Sequence, residues 1–480
     1  MNNQFQTPLL DQLILHSEKQ PVSFHVPGHK YGELFPERGN PYFQSLLKLD
    51  ATELTGLDDL HSPEGVILEA EQLLAQLYQS KKSFFLVNGS TSGNLAMILA
   101  TLAEDDVVLV QRNSHKSIMN GIRLAKARPV YLNPDYDSNT MVASGISFET
   151  IRAAIQSYPD AKALILTYPN YYGMVYNLKD IITLAHEHQI PVLVDEAHGV
   201  HFVVGEPCPP SAVTLGADIV VQSAHKTLPA MTMGAFLHYN SKVVSLEKLS
   251  YYLQMLQSSS PSYPIMASLD VARSYVGTFS QEDKRFLVDR IYAFREAISS
   301  IEGLTVFPLE NHDPLKMIIR AKGYSGFELQ EMFESHGVYA ELADPFNVLF
   351  VLPLIKNGNA EGMNIAITRI EKAMKTKVYS NKLEGAWHLP EFRVDPDPIE
   401  ELAVSFKEMA NREQEFIALS DALGEICAES IIPYPPGIPM ILPGQRVRRE
   451  HLENLEYLLT QGAKIQGGER IKTGALKVFK

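Results

Sequence analysis

The sequence has 480 residues, of which 45% are hydrophobic and 20% charged, and its formal net charge at pH 7 is −14. This composition is typical of a globular enzyme with about two to four domains, and the negative charge argues against nucleic acid as the main partner. Two cysteines, Cys208 and Cys427, exclude a disulfide framework and a cysteine-rich metal site. The sequence shows neither a signal peptide nor an apolar run of ~18 residues, so we expect a cytoplasmic protein without a membrane span.

The N-terminal region predicts a short helix at 9–16, followed by the motif HVPGHK at 25–30. Proline and glycine within this motif indicate a rigid turn. His25 and His29 are of a type that binds metals, but no cysteine or carboxylate stands close enough to complete a site. We therefore favour a structural turn and predict no metal site. An acidic loop at 50–63 and a helix at 64–79 follow.

A strand predicted at 83–87 runs into the sequence NGSTSGN at 88–94, and a helix is predicted at 95–103. Small and hydroxyl-bearing residues before a helix make an anion site, because unpaired backbone N–H groups and hydroxyl donors point at the ligand. The spacing fits neither a P-loop nor the glycine pattern of dinucleotide-binding proteins. The alternative interpretation is an ordinary N-cap, for which Ser and Thr are favoured.

Further strands alternate with helices, as in the βαβ units of a mainly parallel sheet. Polar residues follow three of these strands, namely His115, Asp195 and Lys226. In open α/β sheets ligands bind at the carboxyl ends of parallel strands, so we expect these residues to share one edge with the anion site. The predicted strands are 107–112, 163–167, 191–194, 219–223 and 234–238.

Lys226 comes directly after a predicted buried strand, in the sequence SAHK. An ammonium group is costly to bury without a partner. One reason to place a lysine there is an amine that reacts in its neutral form, as in a Schiff base with a carbonyl cofactor. The alternative is a lysine on a surface loop, which the short motif alone does not exclude.

Together, the residues at these strand ends form a set that suits pyridoxal phosphate (PLP). The hydroxyl-rich helix start would bind the phosphate, Asp195 would keep the pyridine nitrogen protonated, and Lys226 would bind the aldehyde. A carboxylate at the tip of an apolar strand needs a positive partner or several hydrogen bonds, and the protonated ring nitrogen would be such a partner.

These segments resemble the fold-type I PLP enzymes (aspartate aminotransferase-like) and, more narrowly, the bacterial ornithine, lysine and arginine decarboxylases. The resemblance implies an α/β fold with a mainly parallel sheet, a small α+β domain and a C-terminal domain. It rests on motifs that lie in the family's order and span nearly the whole chain: HVPGHK (25–30), NGSTSGN (88–94), NSHKS (113–117), DEAHG (195–199), SAHKTLPAMT (223–232) and PYPPGIP (433–439).

The resemblance implies catalytic roles for three residues. Lys226 would form the Schiff base, Asp195 would pair with the pyridine nitrogen, and His115 would stack on the ring. His198 stands where the family has a residue near the ring's phenolic oxygen, although many larger members have tryptophan there. Further residues would hold the phosphate or its surroundings: Ser90, Thr91, Ser92, Ser223 and His225.

Two further roles follow from the resemblance. The segment 257–261, with Ser259, is similar to a loop that touches the phosphate of the neighbouring subunit, which implies a homodimer or a dimer-based oligomer. Glu429, shortly before PYPPGIP, is the candidate for binding the distal cationic group of a basic amino acid. Because HVPGHK begins at residue 25, we expect the chain to depart from large members in lacking their N-terminal response-regulator-like domain. It also has Gln445 where many members have glutamate.

Three domains are predicted: an N-terminal arm with the large PLP-binding domain at 1–275, a small α+β domain at 276–376 and a C-terminal domain at 377–480. In the small domain we predict helices at 281–301, 326–335 and 361–374, and strands at 315–320, 338–342 and 348–352. C-terminal to these we predict a linker at 389–398, a helix at 399–423 and a basic tail or hairpin at 464–480.

The resemblance implies α-decarboxylation of a basic amino acid. Arginine is favoured over lysine and ornithine, because the chain is most similar to compact members that feed polyamine synthesis. An aminotransferase would need a clamp for the substrate carboxylate, for which Arg369 is the candidate. A cysteine desulfurase would need a reactive cysteine, whereas Cys208 precedes two prolines and Cys427 lies in a predicted helix. A catalytically silent regulator is the third alternative, and the intact lysine, aspartate and histidine set argues against it.

Overall fold

The computed structural model describes residues 3–308, 311–358, 361–375, 397–433, 438–460 and 462–480. Most of the predicted linker at 389–398 and of PYPPGIP lies outside the described residues. Within the described ranges, no helix is both long and apolar enough to cross a lipid bilayer. The chain divides into two compact units. The first comprises Met1–Thr101 and Pro191–Ser280, and the second comprises Leu102–Ile190 and Gln281–Lys480.

The α-helices of the described residues are, in chain order, α1 (Pro8–Glu18), α2 (Asn40–Leu47), α3 (Val66–Tyr78), α4 (Gly89–Thr101), α5 (Lys116–Ala125), α6 (Phe148–Ser157), α7 (Leu178–Glu187), α8 (Ala212–Leu215), α9 (Ala224–Thr227), α10 (Leu246–Leu256), α11 (Tyr263–Gly277), α12 (Gln281–Ser299), α13 (Gly326–Glu334), α14 (Glu361–Lys375), α15 (Phe406–Met409) and α16 (Arg449–Thr460).

The strands are β1 (Lys82–Leu86), β2 (Val107–Gln111), β3 (Arg128–Leu132), β4 (Tyr136–Asp137), β5 (Val142–Ala143), β6 (Ala163–Thr167), β7 (Val192–Asp195), β8 (Ile219–Gln222), β9 (Ala235–Tyr239), β10 (Leu304–Val306), β11 (Lys316–Ala321), β12 (Leu342–Ala343), β13 (Val348–Val351), β14 (Ile399–Glu401), β15 (Gln414–Ala418), β16 (Ile426–Cys427), β17 (Ile431–Pro433), β18 (Ile465–Gly467) and β19 (Ala475–Phe479).

The first unit contains the strands β1, β9, β8 and β7, side by side in this order. β7 and β8 run parallel, whereas β9 is antiparallel to both β8 and β1. Every residue of β7, β8 and β9 is buried, which explains their nearly continuous apolar sequences. Because β7 and β8 are parallel neighbours, the segments that follow them leave the sheet at the same edge.

In the second unit, β6, β2 and β3 are parallel neighbours, and β14 joins β3 in the antiparallel sense. A separate antiparallel sheet has the order β10-β11-β13-β12 and is accompanied by α12, α13 and α14. Its strand β12 spans only two residues, so the strand predicted at 338–342 is wrong over most of its length. A three-stranded sheet, β15-β19-β16, belongs to the C-terminal part. The predicted α/β class is confirmed. The boundaries at 275/276 and 376/377 stay predictions.

The prediction of a helix at 399–423 is wrong, because this range contains β14, the one-turn helix α15 and β15. β15 pairs along its whole length with β19, so the stretch 464–480, predicted as a tail or hairpin, supplies the central strand of a sheet. Cys427 lies in β16 and not in a helix, and it also pairs with β19. These strands exchange backbone hydrogen bonds with segments distant in sequence, which local patterns do not reveal.

The motif HVPGHK forms a turn in which both imidazoles contact protein groups. His29 Nε2 lies 3.0 Å from Asp50 Oδ2, and its Nδ1 accepts a hydrogen bond from the backbone N–H of Gly32 at 3.2 Å. His25 Nε2 lies 3.2 Å from the Tyr31 hydroxyl. The predicted turn is confirmed. The premise that no carboxylate lies close to these histidines is wrong, because the fold brings Asp50, which is distant in sequence, to His29.

Candidate active site

Asp195 is the last residue of β7, and 3% of its surface is exposed. Its Oδ2 accepts a hydrogen bond from Nδ2 of Asn94 at 2.9 Å, and its Oδ1 accepts one from the backbone N–H of Ala197 at 3.1 Å. Asn94 lies on α4, so the carboxylate is oriented by two different segments. Each oxygen of a carboxylate can accept about two hydrogen bonds, so these contacts leave it able to bind a cationic ligand as well.

Lys226 lies on the one-turn helix α9, which follows β8 directly. Its Nζ is 2.9 Å from Nε2 of His198. His198 comes three residues after Asp195, so the parallel pairing of β7 and β8 brings the amine and the imidazole to the same edge. A protonated Lys226 donates to the unprotonated Nε2, whereas a neutral Lys226 accepts from a protonated one, so the pair can exchange a proton.

The predicted anion site is the N-terminus of α4, which begins at Gly89 and not at residue 95. Gly89 has a φ of +76°, which glycine adopts without strain, and it turns the chain from β1 almost directly into the helix. Ser90 Oγ accepts a hydrogen bond from Ser223 Oγ at 2.7 Å. Since Ser223 immediately precedes α9, this bond links the anion site to the segment that carries the lysine.

The neighbouring residues of this cradle differ in their contacts. Thr91 is exposed, whereas Ser92 is buried and its hydroxyl donates to the carbonyl of Gly89 at 2.8 Å. His225 Nδ1 lies 3.1 Å from the carbonyl oxygen of Gly234, to which it donates. The Ser92 hydroxyl therefore bonds within the first turn of the helix, while the exposed Thr91 side chain remains accessible to a ligand.

The loop predicted to reach a second subunit is anchored in its own chain beside the anion site. The backbone N–H of Ser258 donates to Asn88 Oδ1 at 3.1 Å, and the Ser258 carbonyl lies 2.8 Å from His61 Nε2. Gln257 Oε1 accepts from the N–H of Val87 at 2.8 Å. Ser259 is exposed, and its contact with a neighbouring subunit stays a prediction.

His115 belongs to the second unit, where it is the N-cap of α5. Its Nδ1 accepts from the backbone N–H of Ser117 at 3.2 Å and lies 2.8 Å from the Ser117 hydroxyl. These contacts fix the orientation of a half-buried imidazole at the end of β2. The predicted position of His115 after a strand is confirmed, and its stacking on the cofactor stays a prediction.

Glu429 lies in the C-terminal part, where its carboxylate binds backbone groups. Oε2 accepts from the N–H of Glu469 at 2.8 Å and Oε1 accepts from the N–H of Lys477 at 2.9 Å. The carboxylate therefore ties together three chain segments. Its predicted role in substrate binding stays a prediction.

The residues that the alternative functions would need have structural contacts. Arg369 is exposed on α14 and donates from Nη1 to the carbonyl of Gly337 at 2.9 Å. Cys208 and Cys427 are both buried. Burial raises the pKa of the Cys427 thiol to about 12, and its Sγ donates to the carbonyl of Glu429. A thiol of this kind is unreactive at neutral pH, which argues against the desulfurase.

Sequence reasoning missed several polar residues beside Asp195 and α9. Asn94 occurs only as part of a motif, and the sequence assigns no role to Glu196, Gln222 or His238. All three are buried, and Gln222 is hydrogen-bonded to both Glu196 and His238. The available signal was a glutamate, a glutamine and a histidine at or next to otherwise apolar strands. Such residues are rarely buried unless they are paired.

The residues of the first unit fit PLP in their chemistry. A buried carboxylate suits a cationic ring nitrogen, a helix N-terminus with serine and threonine hydroxyls suits a phosphate, and Lys226 suits an aldehyde. The fold and this site define a PLP enzyme of fold type I.

The comparisons narrow this class. The Orn/Lys/Arg decarboxylase major domain matches residues 7–316, and the Orn/Lys/Arg decarboxylase C-terminal domain matches residues 389–466. The chain belongs to the Orn/Lys/Arg decarboxylase family, and it is therefore a PLP-dependent decarboxylase, as its sequence predicted.

Three known proteins illustrate the similarity. YaaO, an uncharacterized protein of Bacillus subtilis (strain 168), is 47% identical over 482 residues, which cover 98% of each chain. The arginine decarboxylase of the same strain is 33% identical over 491 residues, which cover 100% of this chain and 99% of the other. The crystal structure of the Francisella novicida lysine decarboxylase LdcF has a TM-score of 0.81 at 21% identity, over 99% of this chain and 81% of that chain.

Proposed function

We propose that the enzyme removes the α-carboxyl group of arginine and releases CO2 and agmatine, a reaction that would feed polyamine synthesis. One observation carries the choice of substrate. Four relatives named arginine decarboxylase are 32–33% identical over 92–100% of this chain, whereas the inducible and constitutive lysine decarboxylases of Escherichia coli are 22% identical. Lysine and ornithine, which are also cationic, are the alternative substrates.

The catalytic roles are inferred from the contacts of the first unit. PLP, when bound, supplies an electron sink for the bond that breaks as CO2 leaves. Asp195, oriented by Asn94, holds a proton at the pyridine nitrogen. Lys226 would hold the cofactor through Nζ, and its contact with His198 would allow the two side chains to exchange a proton. Proton transfer by a positioned side chain typically contributes about 10²–10⁴-fold in rate.

The remaining roles concern binding. The N–H groups at the start of α4, with Ser90, Thr91 and Ser223, bind the phosphate. His115 would cover one face of the ring. Glu429 binds the guanidinium of arginine, and the two backbone N–H groups on its carboxylate support this role because they hold the acid in one orientation.

The test is CO2 release by the purified enzyme, loaded with PLP, from arginine, lysine and ornithine at matched concentrations. We expect kcat/KM for arginine to exceed the other two by about tenfold or more, which corresponds to one well-placed charged hydrogen bond. A preference for lysine or ornithine would contradict the proposed substrate, but it would leave the assignment to the amino-acid decarboxylases unchanged.

Lys226→Ala should remove the visible absorbance of the bound cofactor together with turnover. The matched control is Lys248→Ala on α10, whose side chain is exposed, and it should change neither. Full turnover by the Lys226 variant would show that another residue binds the cofactor.

We also propose that the active enzyme is a homodimer and that the segment 22–43 lies in its interface. This segment exposes large apolar side chains, which in a free monomer would face water. Their exposed fractions are 80% for Val22, 95% for Phe24, 65% for Val26, 70% for Leu34 and 85% for Tyr42.

Phe24→Ser combined with Tyr42→Ser should raise the dissociation constant of the dimer by at least about tenfold, because the proposed interface loses two aromatic side chains that it would bury. Sedimentation velocity measures the shift. Tyr339→Ser, at a position 79% exposed in the second unit, is the control. A double variant that dimerises as tightly as the wild type would place the interface elsewhere.

We further propose the cytoplasm as the compartment. Both cysteines are buried as free thiols, which agrees with a reducing environment. Cell fractionation with an antibody to the chain tests this, and recovery in the culture medium would contradict it.

A further inference from the structure

A chain of buried polar side chains crosses the sheet of the first unit. Glu196 directly follows Asp195, and Gln222 is the last residue of β8. Glu196 Oε2 accepts a hydrogen bond from Gln222 Nε2 at 2.6 Å, and Gln222 Oε1 lies 3.0 Å from Nε2 of His238 on β9. His238 Nδ1 lies 2.8 Å from Ser83 Oγ on β1. Glu196, Gln222, His238 and Ser83 are each 0–1% exposed.

The hydrogen bonds of this network are mutually consistent. Glu196 also accepts from the Ser211 hydroxyl and from the backbone N–H of Ala212, both at 2.7 Å. Burial raises the pKa of Glu196 to about 8, while its three donors favour the ionised form. Both of its oxygens accept hydrogen bonds, so a proton on this carboxyl group would face one of the donors, and the network is satisfied when Glu196 is a carboxylate. Burial lowers the pKa of His238 to about 3, so this imidazole is neutral, donates from Nε2 and accepts at Nδ1. A fully satisfied buried network of this kind rigidifies its surroundings.

The network connects the two strand ends that carry the cofactor residues. The backbone N–H of Glu196 donates to the carbonyl of Val221 at 2.8 Å. One residue further along β8, the Gln222 side chain makes the bond to the Glu196 side chain. The residues on either side of this tie are Asp195 on one strand and Ser223 on the other. A cofactor ring held at its nitrogen by one strand end and at its aldehyde by the other requires a fixed separation between them.

We propose that Glu196 is a positioning residue of the active site, whose hydrogen bond to Gln222 fixes the separation between Asp195 and the segment from Ser223 to Lys226 and thereby sets the affinity for PLP. This inference rests on the proposed function, since it takes Asp195 and Lys226 as the cofactor residues. Glu196 acts through its neighbours and does not itself touch the cofactor.

The rival interpretation is that the network stabilises the fold and nothing else. The two interpretations differ in what they predict for the apoenzyme and for cofactor binding. A purely structural network changes the thermal midpoint of the apoenzyme and leaves the dissociation constant of PLP unchanged. A positioning network changes that dissociation constant, whatever happens to the midpoint.

The central experiment is a PLP titration of the apoenzyme, followed by visible absorbance, for the wild type and Glu196→Gln. The amide N–H of the introduced glutamine would face one of the three groups that donate to Glu196 in the wild type. Two donors cannot form a hydrogen bond with each other, so the contact between residue 196 and Gln222 is strained. We expect the dissociation constant of PLP to rise by about tenfold or more, since displacements on the order of 1 Å at an active site cost about 10²-fold in rate.

The double exchange Glu196→Gln with Gln222→Glu restores an amide–carboxylate pair between the strands. It should return the dissociation constant to within about threefold of the wild type. Glu71→Gln is the matched control, because Glu71 is another fully buried acid of the first unit that accepts a backbone N–H, from Phe85 at 2.9 Å. It should leave the dissociation constant within about twofold of the wild type.

Unchanged PLP affinity in folded Glu196→Gln overturns the inference, and so does an equal loss in Glu71→Gln. If Glu196→Gln does not fold, Glu196→Asp keeps the charge, shortens the reach by one methylene and carries the same expectation. The assignment of Lys226 is tested separately by the loss of visible absorbance in Lys226→Ala. If Glu196→Gln leaves PLP affinity unchanged while Lys226→Ala removes the visible absorbance, the inference about Glu196 is wrong and the assignment of Lys226 stands.

Discussion

Among single residues, Asn94 has the clearest consequence for the chemistry. Its amide donates to Asp195 from α4, the same helix whose first turn forms the anion site. In the binding mode proposed above, one helix would position the phosphate end and the nitrogen end of the cofactor together. Because Asp195 is buried, the orientation of its carboxylate depends on such fixed donors rather than on solvent.

Asn94→Ala should raise the dissociation constant of PLP by about tenfold, because removal of a donor to a buried carboxylate costs about 1.5–3 kcal/mol. A PLP titration of the apoenzyme, followed by visible absorbance, measures this dissociation constant. Asn364→Ala, at an exposed position on α14, should bind PLP like the wild type. Equal affinity in the two variants would show that Asp195 is oriented without Asn94.

At the scale of elements, Gln445 connects the C-terminal part to β2 and β14 within the second unit. Its Oε1 accepts from Arg112 Nη2 at 2.7 Å and from the N–H of Leu442 at 2.9 Å, and its Nε2 donates to Glu400 Oε2 at 2.9 Å. Glu400 also pairs with Arg448 at 3.0 Å. A glutamate at 445, which the resemblance leads one to expect, would set two carboxylates against each other. Glutamine at 445 is thus the residue that suits Glu400.

Gln445→Glu should lower the thermal midpoint, with a loss of about 1–3 kcal/mol for the donor that faces Glu400. Adding Glu400→Gln should recover most of the loss, because an amide again faces a carboxylate. Differential scanning calorimetry of the two single variants and the double variant gives the coupling between the positions. If the losses of stability in the two single variants simply add in the double variant, Gln445 and Glu400 are not coupled and this explanation is wrong.

For the whole molecule, buried acids make stability depend on pH. Glu71, on α3, is 3% exposed, and burial raises its pKa to about 8 from an ordinary value of 4.5. The folded protein therefore keeps this proton while the unfolded chain releases it. The contribution of the group is fully present below pH 4.5 and is lost as the pH rises through about 8.

Glu71→Gln should accordingly be more stable than the wild type at pH 8, by about 1–3 kcal/mol, and the difference should shrink toward pH 5. Thermal midpoints across this range measure it. Glu69→Gln, an exposed acid on the same helix, should show no such trend. A difference that is constant with pH would mean that Glu71 does not retain its proton on folding.

The sequence by itself determined the class of fold, the cofactor and the family. Buried strands such as β7 and β8 have continuous apolar sequences. The polar residues that follow them stand out, because a charged group beside a buried strand, such as Asp195 or Lys226, is costly to bury without a partner. These signals are local, so the order of motifs along the chain was enough to read them.

The tertiary structure decided what depends on partners distant in sequence. β15 is a strand because β19 pairs with it, and Glu196 became interpretable once parallel pairing set it beside Gln222. The antiparallel direction of β9 was likewise fixed by its neighbours. The local sequence shows which polar groups lie next to buried strands and are costly to bury. The hydrogen-bond partners that offset this cost come from distant segments, so they are known only from the tertiary structure.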